Sequence, residues 1–389
     1  MGRTKNCTTS LDYSNFTHHI WCLAHSSEMT RTKIQHTSVA RWLFLITGLL
    51  TLIGIIFVFE SSINESYRTF GTPYALITQQ LLGIGIGVGA FIAASLIPTT
   101  FWNRFGPSLY IFGILLLLLV FVPVVGLKLN GARRWINLGF MVLQPVEIMK
   151  FALVAGFAHW FAKKQRIRPF LLLTALPLGL LLLQPDLGST LLLSTIAVGI
   201  FFLAGGSIKK LALVGLICTP LLLLAVFTSP YRLDRVKTFF NPTSDLQGTG
   251  FHVAQIALAF GRGGWFGHGI GNSQQKLSYL PESSTDSIFA IVGEELGFVG
   301  AFVIVILFSL LFLYLYRAAA QLESKPEQQL LVYGILLWFA GQTFLNLLAT
   351  VGLIPLTGEP LPFFSYGRSS LIMLLFASGV VIRAARESA

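Results

Sequence analysis

The chain has 389 residues, of which 54% are hydrophobic and 11% are charged, and its formal net charge is +11 at pH 7. A soluble domain usually carries about 25% charged residues, so this composition excludes an ordinary soluble protein. The net charge does not indicate a nucleic-acid partner, because where the charges lie matters more than their sum. Apolar runs long enough to cross a bilayer recur between Trp42 and Ile382, which predicts an all-α polytopic membrane protein.

The N-terminal residues 1–40 are polar and basic and predict a cytoplasmic tail without a fixed fold. The stretch "HHIWCLAHSSEMTRTK" has too short an apolar core for a cleavable signal peptide. Met29 opens a basic lead into the first apolar run, which suggests a second translation start beside Met1. The three cysteines lie far apart without metal-ligand spacing, so no metal site is predicted from them.

Charged and turn residues divide the remaining chain into about ten predicted transmembrane helices. Within a few residues, these spans are 42–59, 76–98, 107–127, 145–162, 169–183, 187–205, 211–227, 288–316, 329–350 and 369–383. Residues 41–383 therefore form a predicted transmembrane domain, with one large loop of about residues 228–287 between spans seven and eight. Residues 384–389 form a short C-terminal tail.

The distribution of lysine and arginine predicts the orientation of the chain. With a cytoplasmic N-terminus, the inner segments hold sixteen of the 27 basic residues, the outer segments ten, and one span contains Lys150. Five of the ten outer residues lie in the large loop, and long loops cross a membrane largely regardless of charge. The comparison over short loops is therefore sixteen against five, which predicts that both termini are cytoplasmic and that the large loop is extracytoplasmic.

This orientation places the polar motifs on the outer face. "ARRWI" gives Arg133, Arg134 and Trp135 at the bilayer edge. They are either interfacial anchors or a site in which adjacent guanidinium groups bind the phosphates of a lipid head group.

Two further polar motifs lie at the outer ends of spans. "QPVEIMK" places Glu147 and Lys150 on one face of the fourth span, where they are expected to pair. Lys150 could alternatively reach a substrate phosphate. "QPDLGST" places Asp186 at a tight outer turn, where an aspartate caps a following helix well.

Four carboxylates lie close together before and at the start of the eighth span: Glu282, Asp286, Glu294 and Glu295. Glu294 and Glu295 fall in its first turns, where the helix dipole favours anions, and structural pairing is expected of them. The preceding "GRGGWFGHGIG" lacks the strand and the glycine spacing of a dinucleotide-binding motif. The adjoining "FHVAQIALAF" has helical apolar spacing, which suggests a loop lying on the membrane surface.

Five motifs in order resemble the SEDS family (shape, elongation, division and sporulation), the FtsW and RodA type proteins. They are "NGARRWINLG", "QPVEIMKFA", "QPDLGST", the stretch from "GFHVAQ" to "EELGFVG", and "GLIPLTGEPLPFFSYGRSS". The long fourth match looks closer to the division branch, FtsW, than to the elongation branch, RodA. Four positions depart from the usual family pattern: Val146, Ser284, Ser287 and Arg368. These departures put fine substrate or partner contacts in doubt, but not the fold.

The resemblance implies a peptidoglycan glycosyltransferase that polymerises lipid II outside the bacterial cytoplasmic membrane. It implies a class B penicillin-binding protein and other division proteins as partners, and a location at the division site. By motif, the catalytic acidic residue falls on Asp286. The expected substrate-binding residues are Arg133, Arg134, Trp135, Lys150, Asp186, Lys276, Glu282 and Ser365.

The chemistry of glycan extension is consistent with these residues. An attacking hydroxyl must lose a proton, which requires a positioned base, and the departing diphosphate gathers negative charge, which cations or a metal stabilise. Asp286 is the base candidate, and partial desolvation should raise its pKa above the usual ~3.9. Its alternative role is to cap the eighth span. A divalent cation such as Mg²⁺ stays open as a cofactor. The rival function is a flippase of lipid-linked precursors, which would need a polar path through both leaflets.

Overall fold

The computed structural model describes residues 15–129, 132–139, 141–216, 230–241, 249–276, 280 and 282–387. Residues 1–14 of the predicted tail lie outside these ranges, as do the second half of the seventh span and parts of the large loop. The prediction that the tail has no fixed fold is wrong for residues 15–40, which are helical and continuous with the first span.

Within these ranges the chain is mostly helical, as predicted. The helices are α1 (Asn15–Phe70), α2 (Ala75–Leu96), α3 (Thr99–Leu119), α4 (Pro145–Phe161), α5 (Ile167–Leu183), α6 (Leu187–Leu203), α7 (described over 208–216), α8 (Pro230–Phe240), α9 (Thr249–Gly263), α10 (Ile288–Ala320), α11 (Pro326–Thr350) and α12 (Arg368–Glu387). In the described part, six helices are long and apolar enough to cross a membrane, namely α2, α3, α10, α11, α12 and residues 38–70 of α1, and α5 and α6 are shorter apolar helices.

The third predicted span is displaced from the observed helix. The prediction was about residues 107–127, whereas α3 covers Thr99–Leu119. The helix begins earlier because the Glu387 carboxylate, at the end of α12, accepts hydrogen bonds from the backbone N–H and the hydroxyl of Thr99. A contact with a residue nearly three hundred positions away left no signal in the local sequence.

The strict all-α assignment is wrong in one segment. Three short antiparallel strands, β1 (Gly126–Leu129), β2 (Ala132–Asn137) and β3 (Val142–Leu143), form a sheet in the order β1-β2-β3. On β2 the side chains of Ala132 and Ile136 are buried, whereas Arg133 is exposed. The sheet therefore holds the "ARRWI" motif in an extended conformation just before α4.

The core is centred on α4. Nearly every residue of α4 is buried, as expected for a helix that is hydrophobic all round. A Cβ placed on Gly106 of α3 would lie 2.4 Å from the carbonyl oxygen of Ala155, so only glycine permits this close helix contact. This packing fixes the start of α4, and with it Glu147 and Lys150, against the neighbouring helices.

Candidate active site

One end of the bundle gathers most of the polar motifs. Helices α4, α6, α10 and α12 begin there and α11 ends there, while the segment 351–367 connects α11 to α12. The structure brings Lys150, Asp186, Asp286 and Glu359 close to one another at this end, through the hydrogen bonds and charge interactions described below.

Asp286 is held just before α10 by contacts to its backbone. The Nδ2 atom of Asn346 donates to the carbonyl oxygens of Asp286 (2.8 Å) and Glu359 (2.9 Å). The Ser365 hydroxyl donates to the carbonyl oxygen of Thr285 at 2.7 Å. The N-cap of α10 is Ser287 rather than Asp286, and its side chain makes no cap hydrogen bond. The carboxylate of Asp286 is therefore not needed to begin the helix.

The surroundings of Asp286 raise its pKa to about 7. Burial is the largest cause, and the negative charge of Glu282 acts in the same direction, whereas the Arg235 guanidinium opposes both. Asp286 and Arg235 flank the same glycine: a Cβ on Gly358 would lie 3.6 Å from Asp286 Oδ2 and 3.7 Å from Arg235 Nη1. A carboxylate that exchanges its proton near neutral pH suits general base catalysis.

A cavity of about 150 Å³ shares Arg235 with the surroundings of Asp286. Its lining includes Arg235 of α8, His252 of α9 and Leu356, and Arg235 donates to the Leu356 carbonyl oxygen at 2.8 Å. His252 Nε2 lies 2.6 Å from the hydroxyl of Ser287. Burial, together with the charge of Arg235, lowers the pKa of His252 to about 4, so the imidazole is neutral at physiological pH.

Sequence reasoning did not single out Arg235 or His252. Arg235 lies in "YRLDRVK", where charged residues alternate with apolar ones as on any amphipathic helix. Only the packing of α8 against α9, and of both against the 351–367 segment, distinguishes Arg235 from its charged neighbours. His252 belongs to the long "GFHVAQ" match, and that resemblance was the only signal available for it.

Lys150 lies in a buried polar network. Its ammonium contacts Glu147 Oε1 (2.8 Å), Gln342 Oε1 (3.1 Å) and Glu359 Oε2 (3.3 Å), and its side chain has no exposed surface. The Ser189 hydroxyl donates to Glu359 Oε1 at 2.7 Å. Lys150 is therefore the cation that the buried carboxylates of Glu147 and Glu359 share, and a buried charge requires such an opposite partner. The expected Glu147–Lys150 pair is present, and substrate contact by Lys150 stays a prediction.

Asp186 and Arg134 together stabilise the turn between α5 and α6. The Asp186 carboxylate caps α6 by accepting from the backbone N–H of Ser189 at 3.2 Å. Arg134 donates to the carbonyl oxygens of Gln184, at 3.2 Å, and Pro185. Arg133 points to the other face of β2 and is exposed. The two adjacent arginines therefore have different surroundings.

Comparison with known proteins decides the family. The family described as "Cell cycle protein", comprising FtsW, RodA and SpoVE, matches residues 40–389. This protein belongs to the FtsW/RodA/SpoVE family. The resemblance found in the sequence motifs is thereby confirmed.

The curated relatives of this FtsW/RodA-type protein are of the division branch. A probable peptidoglycan glycosyltransferase FtsW of Coxiella burnetii is 38% identical over 89% of this chain and 96% of its own length. A second protein with that name, from Aromatoleum aromaticum, is 38% identical over 87% of this chain and 85% of its own length. These names support the closer resemblance to FtsW.

Solved structures share the fold. A chain of the structure described as "Structural coordination of polymerization and crosslinking by a peptidoglycan synthase complex" superposes with a TM-score of 0.71 at 28% identity, covering 89% of this chain and 97% of that one. The rod shape determining protein RodA of Thermus thermophilus gives 0.65 at 26% identity, covering 89% and 96%. The architecture is therefore that of the RodA-like membrane proteins.

In this family member, Glu294 and Glu295 organise the end of the loop that precedes α10. Glu294 accepts from the Ser273 hydroxyl and, at 3.2 Å, from the backbone N–H of Gln274. Glu295 accepts from Lys276 at 2.9 Å, and Lys276 also contacts Glu60 at 2.8 Å. Burial alone would lower the pKa of Lys276, but the two carboxylates outweigh burial and raise it. Glu294, Glu295 and Lys276 thus tie residues 273–276 to α1 and α10.

The glycine-rich segment folds against a break in α10. Gly297 has a φ of +67°, a conformation that side chains other than glycine rarely adopt. A Cβ on Gly297 would lie 2.4 Å from the backbone nitrogen of Gly267. The backbone N–H groups of Phe298 and Val299 donate instead to the carbonyl oxygens of Gly264 and Trp265. The glycines are therefore explained by close backbone packing.

The four departures from the family pattern have local partners. Val146 is buried at the start of α4, and the Ser284 hydroxyl donates to Glu65 at 3.0 Å. Ser287 contacts the imidazole of His252. Arg368 is the first residue of α12. Its side chain packs against Gly83, where an added Cβ would lie 3.1 Å from the Cγ atom of Arg368.

Within the described ranges, no group of three or more His, Cys, Asp or Glu side chains is arranged to hold a metal ion.

Proposed function

We propose that this protein is a peptidoglycan glycosyltransferase that polymerises lipid II, a disaccharide-peptide linked to undecaprenyl diphosphate, into glycan strands. The observation that carries the proposal is the half-buried Asp286, whose pKa is raised to about 7 and whose carboxylate lies across Gly358 from Arg235, a residue that lines a cavity. Family membership and the names of the FtsW relatives point to the same chemistry. Asp286 is the proposed general base.

The proposed step is a single displacement. The acceptor hydroxyl oxygen attacks the anomeric carbon of the donor sugar while its proton passes to the Asp286 carboxylate. The bond between that carbon and the diphosphate oxygen breaks, and undecaprenyl diphosphate leaves with the electron pair. The anomeric configuration inverts. Cationic groups at the outer end, Arg133 and Arg235 among them, stabilise the leaving diphosphate. The other proposed substrate contacts are Arg134, Trp135, Lys150, Asp186, Lys276, Glu282 and Ser365.

Polymerisation of labelled lipid II by the purified protein tests this proposal, with and without a class B penicillin-binding protein. Long glycan chains that lysozyme digests would support it. Transfer of intact lipid II between leaflets of a vesicle, without polymer, would instead identify a flippase. The structure gives little support to that rival, because α4 is apolar and buried from Phe151 to Ala158 and offers no polar path at this depth.

The proposed arrangement has ten membrane spans, cytoplasmic termini, and the loop of residues 228–287 outside the cytoplasmic membrane. A topology reporter fused after Asn241 should read as extracytoplasmic and one fused after Lys325 as cytoplasmic, because short-loop basic residues favour the inside. The reverse result at either position would contradict the orientation. The basic residues 1–40 form the proposed inner tail.

A class B penicillin-binding protein and other division proteins are the proposed partners, at the division site. Support comes from the similar fold in a complex described as coordinating polymerization and crosslinking, and from the division branch of the curated relatives.

The arginine pair is expected to respond unequally to substitution. Arg133→Gln should lower kcat/KM for lipid II roughly tenfold to a hundredfold, because it removes a charge-assisted contact to the diphosphate. Arg134→Gln should also lower the melting temperature, since it leaves the carbonyl oxygens of Gln184 and Pro185 without their donor. Lys128 of β1 lies opposite Arg133 of β2 in the antiparallel register, so Lys128→Gln is the control. Equal activity of all three variants and the wild type would make the arginines interfacial anchors.

The pH dependence of activity should follow the charges around Asp286. The rate should rise with pH up to about 7, because only the ionised carboxylate accepts a proton. Glu282→Gln removes a neighbouring negative charge and should shift this rise to lower pH. Arg235→Gln removes the opposing cation and should shift it to higher pH. The rate of lipid II polymerisation at saturating substrate, measured from pH 5 to 9, checks the direction of both shifts. Unmoved or reversed profiles would show that another group titrates.

A further inference from the structure

A second cavity lies at the end of the bundle opposite Asp286. Helices α3 and α11 begin at this end and α4 ends there. The cavity has a volume of about 380 Å³. The lining side chains that matter for its chemistry are Asn103, Arg104, His159, Lys325, Glu327 and Gln328. None of them belongs to the candidate active site.

Two buried side chains of this cavity have unused hydrogen-bond acceptors. Asn103 is 3% exposed and Gln328 is 7% exposed. Asn103 Oδ1 and Gln328 Oε1 have no hydrogen-bond partner in the described part of the chain. Leaving a buried acceptor unsatisfied costs about 1–3 kcal/mol. The cavity is therefore suited to a ligand that brings hydrogen-bond donors.

The charges around the cavity favour an anion. Arg104 is exposed. The ammonium of Lys325, by contrast, donates a hydrogen bond to the Glu387 carbonyl oxygen at 2.8 Å. The carboxylate of Glu327 is already occupied, because it lies 3.0 Å from Lys163 and 3.6 Å from His159. Helix α11 begins here without a side-chain cap, and a helix N-terminus favours a negative group.

The surface beside Arg104 is suited to lipid rather than to a soluble anion. Phe101 and Phe105 flank Arg104 on α3, are 40% and 43% exposed, and lie against each other with ring centroids 4.6 Å apart. These exposed phenylalanine rings extend the apolar surface of α3 up to the position of Arg104. An anion bound by Arg104 would thus have apolar surface beside it for its chains.

We propose that this cavity binds the head group of an anionic phospholipid with free hydroxyls, from the leaflet opposite the candidate active site. Arg104, with the start of α11, takes the phosphate, and the head-group hydroxyls donate to Asn103 Oδ1 and Gln328 Oε1. Phosphatidylglycerol has this chemistry. Phosphatidylcholine has neither a net negative charge nor a hydroxyl donor, because its head group ends in a quaternary ammonium, and it serves as the negative control.

Native mass spectrometry of the detergent-purified full chain, titrated with each lipid, tests the proposal. Phosphatidylglycerol should be retained at least about tenfold more tightly than phosphatidylcholine, and Arg104→Gln should weaken its retention by about tenfold. Gln328→Leu should reduce the preference between the two lipids. Lys210→Gln removes a charge from another exposed position after α6 and should leave retention unchanged.

Equal retention of the two lipids would overturn the proposal, as would equal losses in Arg104→Gln and Lys210→Gln. Inorganic phosphate distinguishes a free anion from a lipid. If millimolar phosphate binds alone and displaces the phospholipid, the site takes a soluble anion and the lipid assignment is wrong. If it does not, the lipid assignment stands.

Discussion

Asp286→Asn is expected to abolish glycan polymerisation in a protein that still folds. Asparagine has nearly the same shape, and the bond from Asn346 goes to the Asp286 backbone oxygen, so the local structure is retained. The amide cannot accept the proton of the attacking hydroxyl, and loss of a general base typically costs about 10²–10⁴-fold in rate. The measurement is the rate of glycan formation from labelled lipid II at pH 8.

The stability of this variant gives an independent check. Because the folded protein raises the pKa of Asp286 from 3.8 to about 7, protonation favours the folded state. The stability that this provides is complete below pH 4 and is lost as pH rises through 7. Asp286→Asn stays neutral and should therefore melt at the wild-type temperature or higher at pH 8.

Asp234→Asn is the matched control, since Asp234 is an exposed carboxylate of α8 in the same large loop. It should polymerise lipid II at the wild-type rate. Near-normal polymerisation by Asp286→Asn would rule out the base, and a large loss of melting temperature would show that the carboxylate has a structural role instead.

Lys150→Met should be the most destabilising single substitution proposed. It leaves the buried carboxylates of Glu147 and Glu359 without their cation, and breaking a buried ion pair from one side costs about 3–5 kcal/mol in the free energy of unfolding. Thermal unfolding of the purified protein in detergent should show a large fall in melting temperature. Adding Glu147→Gln and Glu359→Gln should restore much of it, because the uncompensated charges are then gone.

Lys163→Met tests whether burial is the cause of the large fall in melting temperature expected for Lys150→Met. Lys163 pairs with Glu327 at 3.0 Å, but its side chain is 60% exposed, and such surface pairs contribute about 0–1 kcal/mol. If Lys150→Met keeps its melting temperature but loses polymerisation, the ammonium acts on substrate, as the alternative interpretation of the sequence held.

The sequence determined the class of this protein because bilayer crossing constrains composition directly. A span must be apolar over its whole length, and the start of α10 at Ile288 and of α4 at Pro145 matched prediction to the residue. The polar motifs stood out against this apolar background, so Asp286 and the Glu147–Lys150 pair were visible in the sequence.

Tertiary structure decided which of those polar residues share surroundings. Glu359 lies 209 positions from Lys150, yet their charged groups are 3.3 Å apart. Arg235 lies near Asp286 only because α8 packs beside the 351–367 segment. Arg133 and Arg134 are neighbours in sequence, but strand pleating turns one to the surface and the other to the α5–α6 turn. Local patterns carry no information on such distant contacts, because burial and pKa depend on which segments the fold brings together.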